Sequence, residues 1–227
     1  MVSPDCLAAV DVCFLRVAKL TAAGVPVPGT DGYKSDSLIQ AKIGTTNDTV
    51  NEIIRRNGCG QIITHVPQQV SVKGSTISFD LARWDRDLLW LLVGGTRFTN
   101  AGHTAGYRSP YLADGVALPV CIEVWSRAWD GTQQAVTSTS TPNVSYHHYV
   151  MPYVQCSMAE FTLANGDAVF TITGEGSENK QITADGPWND WPAWVAGQGG
   201  FTSAFGEYDD GTIPVAACGL TTVPATS

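Results

Sequence analysis

The sequence predicts an all-β fold, a β-sandwich or small barrel with one short flanking helix. Three observations carry this. Several runs alternate apolar and polar residues with the period of a strand. Turn-forming residues punctuate those runs, with 23 glycines and 12 prolines among 227 residues. One segment alone carries a helical signature.

The elements follow in order. Residues 13–20 form a strand candidate ended by the turn-rich "TAAGVPVPGTDG". Residues 38–43 alternate, with Ile39, Ala41 and Ile43 on one face and Leu38, Gln40 and Lys42 on the other. After the loop "TTND", residues 50–56 continue as a second strand, in which Glu52 and Ile53 sit next to a blurred Ile53-Ile54 alternation. Residues 61–66 make a third strand. Between the last two lies the junction Asn57, Gly58, Cys59, Gly60, where the glycines supply positive-φ tolerance for a tight reversal or bulge. Residues 75–82 place Ile77, Phe79 and Leu81 inward, Ser78 and Asp80 outward. The helix is "WDRDLLWLLVGG", with Asp85 as its cap, Asp87 in its first turn and Gly94-Gly95 at its end. Residues 116–129 form a long strand whose face carries Val116, Leu118, Val120, Ile122 and Val124, with Pro119 marking an edge or bulge. Residues 146–157 form another, interrupted by Pro152. "FTLANGDAVFTI" is a hairpin with Asn165-Gly166 at its turn.

Three stretches show no period: 94–115, 133–145 and 176–200. Loops this long are uncommon in a compact domain. They hold Tyr107, Tyr111, Trp188, Trp191 and Trp194, and such aromatics point to order against neighbouring subunits. The chain thus reads as one domain over 1–227, with a core of about 10–175 and a Gly-rich C-terminal arm over 196–227.

Composition narrows the function. Thirteen Lys+Arg against 21 Asp+Glu give a formal net charge of −8, which disfavours a nucleic-acid clamp. Charged residues are only 15%, few for a free monomer. The N-terminal stretch lacks the basic n-region of a signal peptide, and Asp5 and Asp11 interrupt its apolar part. No apolar run approaches the roughly 20 residues of a membrane span. These features predict a protein made in a cytoplasm with no membrane partner.

No catalytic or cofactor motif emerges. There is no nucleophile elbow, zincin helix, phosphate loop or dinucleotide fingerprint. The six cysteines, at 6, 13, 59, 121, 156 and 218, form no C-x-x-C pair and read as buried small thiols. His147 and His148 are adjacent on a strand and point to opposite faces, so they do not chelate one ion together. His65 and His103 are isolated. Trp84-Asp85 and Trp129-Asp130 sit at propeller-blade spacing, but no further repeat follows. Glu123, Glu160 and Glu175 on strands, with seven tryptophans, leave a β-sandwich glycosidase or carbohydrate-binding protein as the remote alternative. The expectation is no enzyme, no cofactor and no metal.

Taken in order, "SLIQAKI", "EIIRRNGCGQI", "WDRDLLWLLVGGT", "YLADGVALPVCIEVWSRAWDG", "YHHYVMPYVQC" and "GPWNDWP" resemble one family. It is the major tail tube protein of long, non-contractile phage tails, in the form found in phages of actinobacteria. The resemblance spans roughly residues 10–195. It implies homohexameric rings that stack into the virion's tail tube after assembly in the host cytoplasm. A long β-hairpin from each subunit would join an inner barrel. That barrel would enclose the tape-measure protein, meet tail-terminator and distal-tail proteins at its ends, and let DNA pass without specific binding. A related single-ring tail component is the nearest alternative. On this reading Gln40, Lys42 and Glu52 face the lumen. Ile39, Ala41, Ile43 and Ile53 pack the inner-barrel strands. Arg55, Arg56, Tyr107, Tyr111, Trp188, Trp191 and Trp194 are candidate contacts between subunits.

Overall fold

The structure, a computed structural model, describes residues 8–83, 85–111, 117–129, 146–163, 168–201, 203–210, 213–214 and 218–225. The chain is mostly β, as its alternation implies. In order it forms β1 (Ala8–Lys19), β2 (Gly29–Ser35), β3 (Leu38–Val50), β4 (Ile53–Arg56), β5 (Ile62–Val66) and β6 (Gln69–Leu81). Helix α1 (Arg86–Val93) follows, then β7 (Thr96–Asn100), β8 (His103–Arg108), β9 (Val120–Trp129), β10 (Tyr146–Leu163) and β11 (Ala168–Gly176). A short helix α2 (Ala193–Ala196), β12 (Gly206–Asp210) and β13 (Gly219–Val223) complete it.

Nine strands share one antiparallel sheet in the order β13-β2-β1-β9-β10-β11-β6-β3, with β12 added to β10. The sheet folds over on itself, so that β3 packs near β1 across the interior. Strand β10 makes the corner. Its first half pairs β9 and its second half pairs β11, and the β9 register breaks between Met151 and Val154. Pro152 lies in that break, where its missing N–H costs no ladder bond.

The inner face is one apolar cluster. Leu15 and Val17 of β1, Ile122 and Val124 of β9, Ile77, Phe79 and Leu81 of β6, and Ile172 of β11 meet there, sealed by Leu88, Leu89, Leu91 and Leu92 of α1. The helix is only eight residues long and would be marginal alone. Asp85 caps it, accepting from the N–H groups of Asp87 (2.8 Å) and Leu88 (3.2 Å), and Gly94 ends it at φ 81°.

The outer face of β1, β9 and β10 is buried as well. Ala18, Cys121 and Val150 pack under Ile182, Trp188, Trp191, Val195 and Tyr208. Strand β9 is therefore covered on both sides from Val120 to Ser126, where one apolar face was expected; Leu118, placed on that face by its period, is exposed and precedes the strand. The 176–200 stretch is the covering layer. It lacks a long period because, apart from the four-residue helix α2, its side chains seat on a finished sheet from turns. Gly186 shows how tight this layer is. It has φ +79°, and a Cβ there would lie 2.4 Å from the Trp191 ring. Gly186→Ala should cost roughly 2–5 kcal/mol in a denaturant titration, from left-handed strain and overpacking together. Gly58→Ala, with nothing within 4 Å, should be neutral by comparison.

Other expectations need correction. The 94–115 stretch holds the β7–β8 hairpin, reversed by Ala101 and Gly102, both at positive φ. The 196–227 stretch contributes β12 and β13 to the main sheet. Of the cysteines, Cys121 and Cys156 are buried, but Cys59 and Cys218 are exposed. Burial pushes the Cys156 thiol up to about 12. Residues 133–145 and the Asn165-Gly166 turn lie outside the described residues. Among the described residues, no helix is long and apolar enough to cross a membrane.

Candidate functional site

Strands β3 and β6 run well past the core. In β6 the half from Gly74 to Leu81 alternates between buried and half-buried residues, while every residue from Gln69 to Lys73 is exposed. Beyond it, β4 and β5 prolong the arm as a separate two-stranded hairpin with hardly a buried residue. This arm carries large aliphatic side chains in the open: Ile53, Ile54, Ile62, Ile63, Val70 and Val72. A lone two-stranded hairpin is marginally stable in water, and a contiguous exposed apolar patch marks an interaction surface.

The tip is built locally. The Asn57 Oδ1 accepts from the N–H groups of Cys59 (3.0 Å) and Gln61 (2.9 Å), an Asx-type closure. Gly60 has φ +79°, whereas Gly58 is not in the left-handed region, so Gly60 alone supplies the conformation expected of both. Arg56 donates to the Gly60 carbonyl at 3.0 Å. Between Arg55 and Arg56 the register slips, and Ile63 is the extra residue. Arg55 is exposed. The Glu52 carboxylate pairs with His65 at 2.6 Å on the arm's surface. Over residues 44–74 the arm holds Arg55, Arg56 and Lys73 against Asp48 and Glu52, a net positive element on an acidic chain.

The remaining candidates fall in distinct places. Gln40 and Lys42 are exposed, opposite Asp80 and Ser78. Ala41 and Ile43 pack on the core. Ile39 does not join them: a bulge between Leu38 and Gln40 turns it outward, at 53% exposure. Ile53 is likewise on the open arm rather than packed. Tyr107 is half-buried and donates its hydroxyl to the Gly94 carbonyl at 3.0 Å. Tyr111 and Trp194 are exposed. Trp188 and Trp191 are not surface contacts but core residues of this chain.

Those two tryptophans close a buried charge cluster that the residue pattern did not reveal. The β1–β9 register sets Arg16 directly opposite Glu123, both essentially without solvent exposure. The Arg16 Nε donates to Glu123 Oε2 at 2.5 Å, and its two terminal nitrogens hold Asp190 at 2.5 and 2.9 Å. The guanidinium lies between the Trp125 and Trp188 rings, 5.1 and 4.8 Å from their centroids. Trp191 Nε1 donates to the other Glu123 oxygen at 2.7 Å. Glu123 is thus sealed and fully engaged, while Glu160 and Glu175 are exposed on other strands. The carboxylates do not face one another across a common groove as a glycosidase pair requires. The signal was present as one Arg in β1 and one Glu in β9, each flanked on both sides by apolar residues.

His148 lies beside this cluster, stacked on Trp125. Its nitrogens are 3.7 Å from Glu123 and 3.6 Å from Asp210, too far for good hydrogen bonds. Burial holds the imidazole below its ordinary value, and Arg16 adds to this, although Asp210 and Glu123 pull the other way. The unfolded chain therefore binds the proton more readily. Stability is complete above the ordinary value of 6.5 and falls as pH drops toward the depressed one. Melting temperatures taken from pH 7.5 down to 5 should decline, and His148→Gln should flatten that slope.

Among the described residues, no group of three or more His, Cys, Asp or Glu is placed to hold a metal ion. Comparison with protein-family models gives no match, and comparison with curated proteins gives none.

Proposed function

We propose that this protein is a structural subunit of a phage tail tube, assembling as homohexameric rings that stack around the tape-measure protein. The observation that carries the reading is the arm. It is a hairpin far longer than its core requires, exposing aliphatic residues on both strands. Such a surface is a liability in a monomer and an asset in a repeating assembly. A contact between two different patches of successive copies gives closed rings or open stacks. The free edge of β3, at the end of the sheet, offers backbone groups for strand addition by a neighbour. The resemblance of the ordered sequence segments to tail tube proteins of non-contractile phage tails supports reading that assembly as a tail tube. In it, Gln40 and Lys42 would line the passage, and the acidic chain as a whole would let DNA slide through, with Lys42 pulling the other way locally.

Negative-stain microscopy of the purified protein tests this. Long tubes of uniform width are the expected result. Isolated rings would instead make it a single-ring tail component, and a monomer at every concentration would overturn the assembly reading. Cys59→Ser should leave tube formation unchanged, because no second thiol or ligand is near the tip in sequence.

A further inference from the structure

A groove opens on the side of the core where β3 crosses β1, β9 and β10. It is lined by Asp11, Val12, Ala41, Ile43, Val124, Ser126 and Tyr149, and its volume is about 260 Å³. That falls below the roughly 300–1,000 Å³ of small-molecule pockets, but it suits one or two aliphatic side chains. Two features of its lining ask for a partner. Asp11 is the one charged lining residue among those described. Its side chain is 72% exposed, and its one ion pair among the described residues is a loose 3.7 Å contact with Arg127, of the solvent-screened kind that contributes little. The Ser126 hydroxyl is buried and lacks a hydrogen-bond partner among the described residues, which is costly unless something supplies one.

The arm tip carries the complement. Ile63, thrown outward by the β5 bulge, is the most exposed of the arm's described aliphatic side chains, at 66%. Arg55 stands across the hairpin beside it, opposite Thr64. The tip also offers the Gln61 side-chain amide nitrogen as a donor to a hydroxyl, its oxygen being taken by Asn57 Nδ2.

We propose that the groove is the socket for the arm tip of a second copy of this chain. Ile63 enters between Ala41, Ile43, Val124 and Tyr149, and Arg55 meets Asp11 at the rim. The contact joins two different patches, so it propagates from copy to copy. It deepens the assembly reading above and rests on it, and it assigns the tip's charge to a specific receptor.

Charge exchange tests it, with the critical concentration for assembly as the readout. Asp11→Arg and Arg55→Asp should each raise that concentration about tenfold or more, and the double exchange should return it to within about threefold of the parent. A double variant no better than either single one overturns the socket, even if the parent chain forms tubes. A parent chain that never assembles overturns the assembly reading itself, and the socket with it. Because Asp11 has φ 54°, substitution there can harm folding, so a second measurement stands beside the first. In a Cys59→Ser background, Ile63→Cys with Ile43→Cys should give covalent oligomers on oxidation of assembled protein. Intact tubes that yield only monomer on a non-reducing gel would remove the proposal.

Discussion

Arg16→Met is expected to lower the unfolding free energy by about 3–5 kcal/mol, the range for removing one partner of a buried ion pair. Against a total stability of roughly 5–15 kcal/mol, that is a large fraction of what holds the subunit folded. The cause is what remains behind. Glu123 is fully buried, and without Arg16 it keeps, among the described residues, only the Trp191 N–H as a hydrogen-bond donor. Asp190 matters less, because its side chain is 48% exposed and water can take the guanidinium's place. The double variant Arg16→Met with Glu123→Leu should recover at least half of the loss, since apolar replacement of a whole buried pair is often neutral. It should not recover everything, because the Trp191 N–H would then be orphaned. Thermal melts of the three variants check this; a double variant less stable than Arg16→Met would show that the damage lies in packing rather than in the stranded charge.

Ile62→Asp with Ile63→Asp should leave the subunit folded and unable to assemble. Both side chains are mostly exposed, at 53% and 66%, so the core does not register the change, and the isolated subunit should melt within about 0.5 kcal/mol of the parent. The assembled state loses the burial of two isoleucines, roughly 3–6 kcal/mol in all at 1.5–3 kcal/mol each. That corresponds to a critical concentration about 10²–10⁴ times higher, before the cost of burying two carboxylates. Sedimentation velocity across concentrations, with circular dichroism as the folding control, reads both halves of the prediction. A pair of aspartates that assembles as readily as the parent would show that the arm's apolar tip is not an interface.

Much of this architecture was legible in the residues because the rules involved are local. The helix declared itself by Asp85 and Gly94, and the period of Ile77, Phe79 and Leu81 named the inward face of β6. What escaped was set by distant or subtle geometry. One extra residue between Leu38 and Gln40 rotates Ile39 out of phase, and a bulge has no reliable signature in a single sequence. The double burial of β9 arises from a covering segment more than fifty residues downstream, so strand period alone misjudged which side chains meet solvent. Trp188 and Trp191 looked like interface residues because aperiodic segments usually lie on the surface. They are core because Arg16 and Glu123 give the "NDW" segment a polar anchor on the sheet. The lone Arg in β1 and the lone Glu in β9 were visible; their register was not.

The distance along the chain between those two residues has a consequence for synthesis. Arg16 and Glu123 are 107 positions apart, and Arg16 and Asp190 are 174. At about 5–20 residues per second, the ribosome needs roughly 5–20 s after making β1 before β9 exists. The β3–β6 hairpin is local and closes in microseconds. The sticky element of the subunit is therefore exposed on the nascent chain well before the strands that seal the core have been made. The yield of usable subunits should then depend on the speed of long-range pairing as well as on the stability of the folded protein.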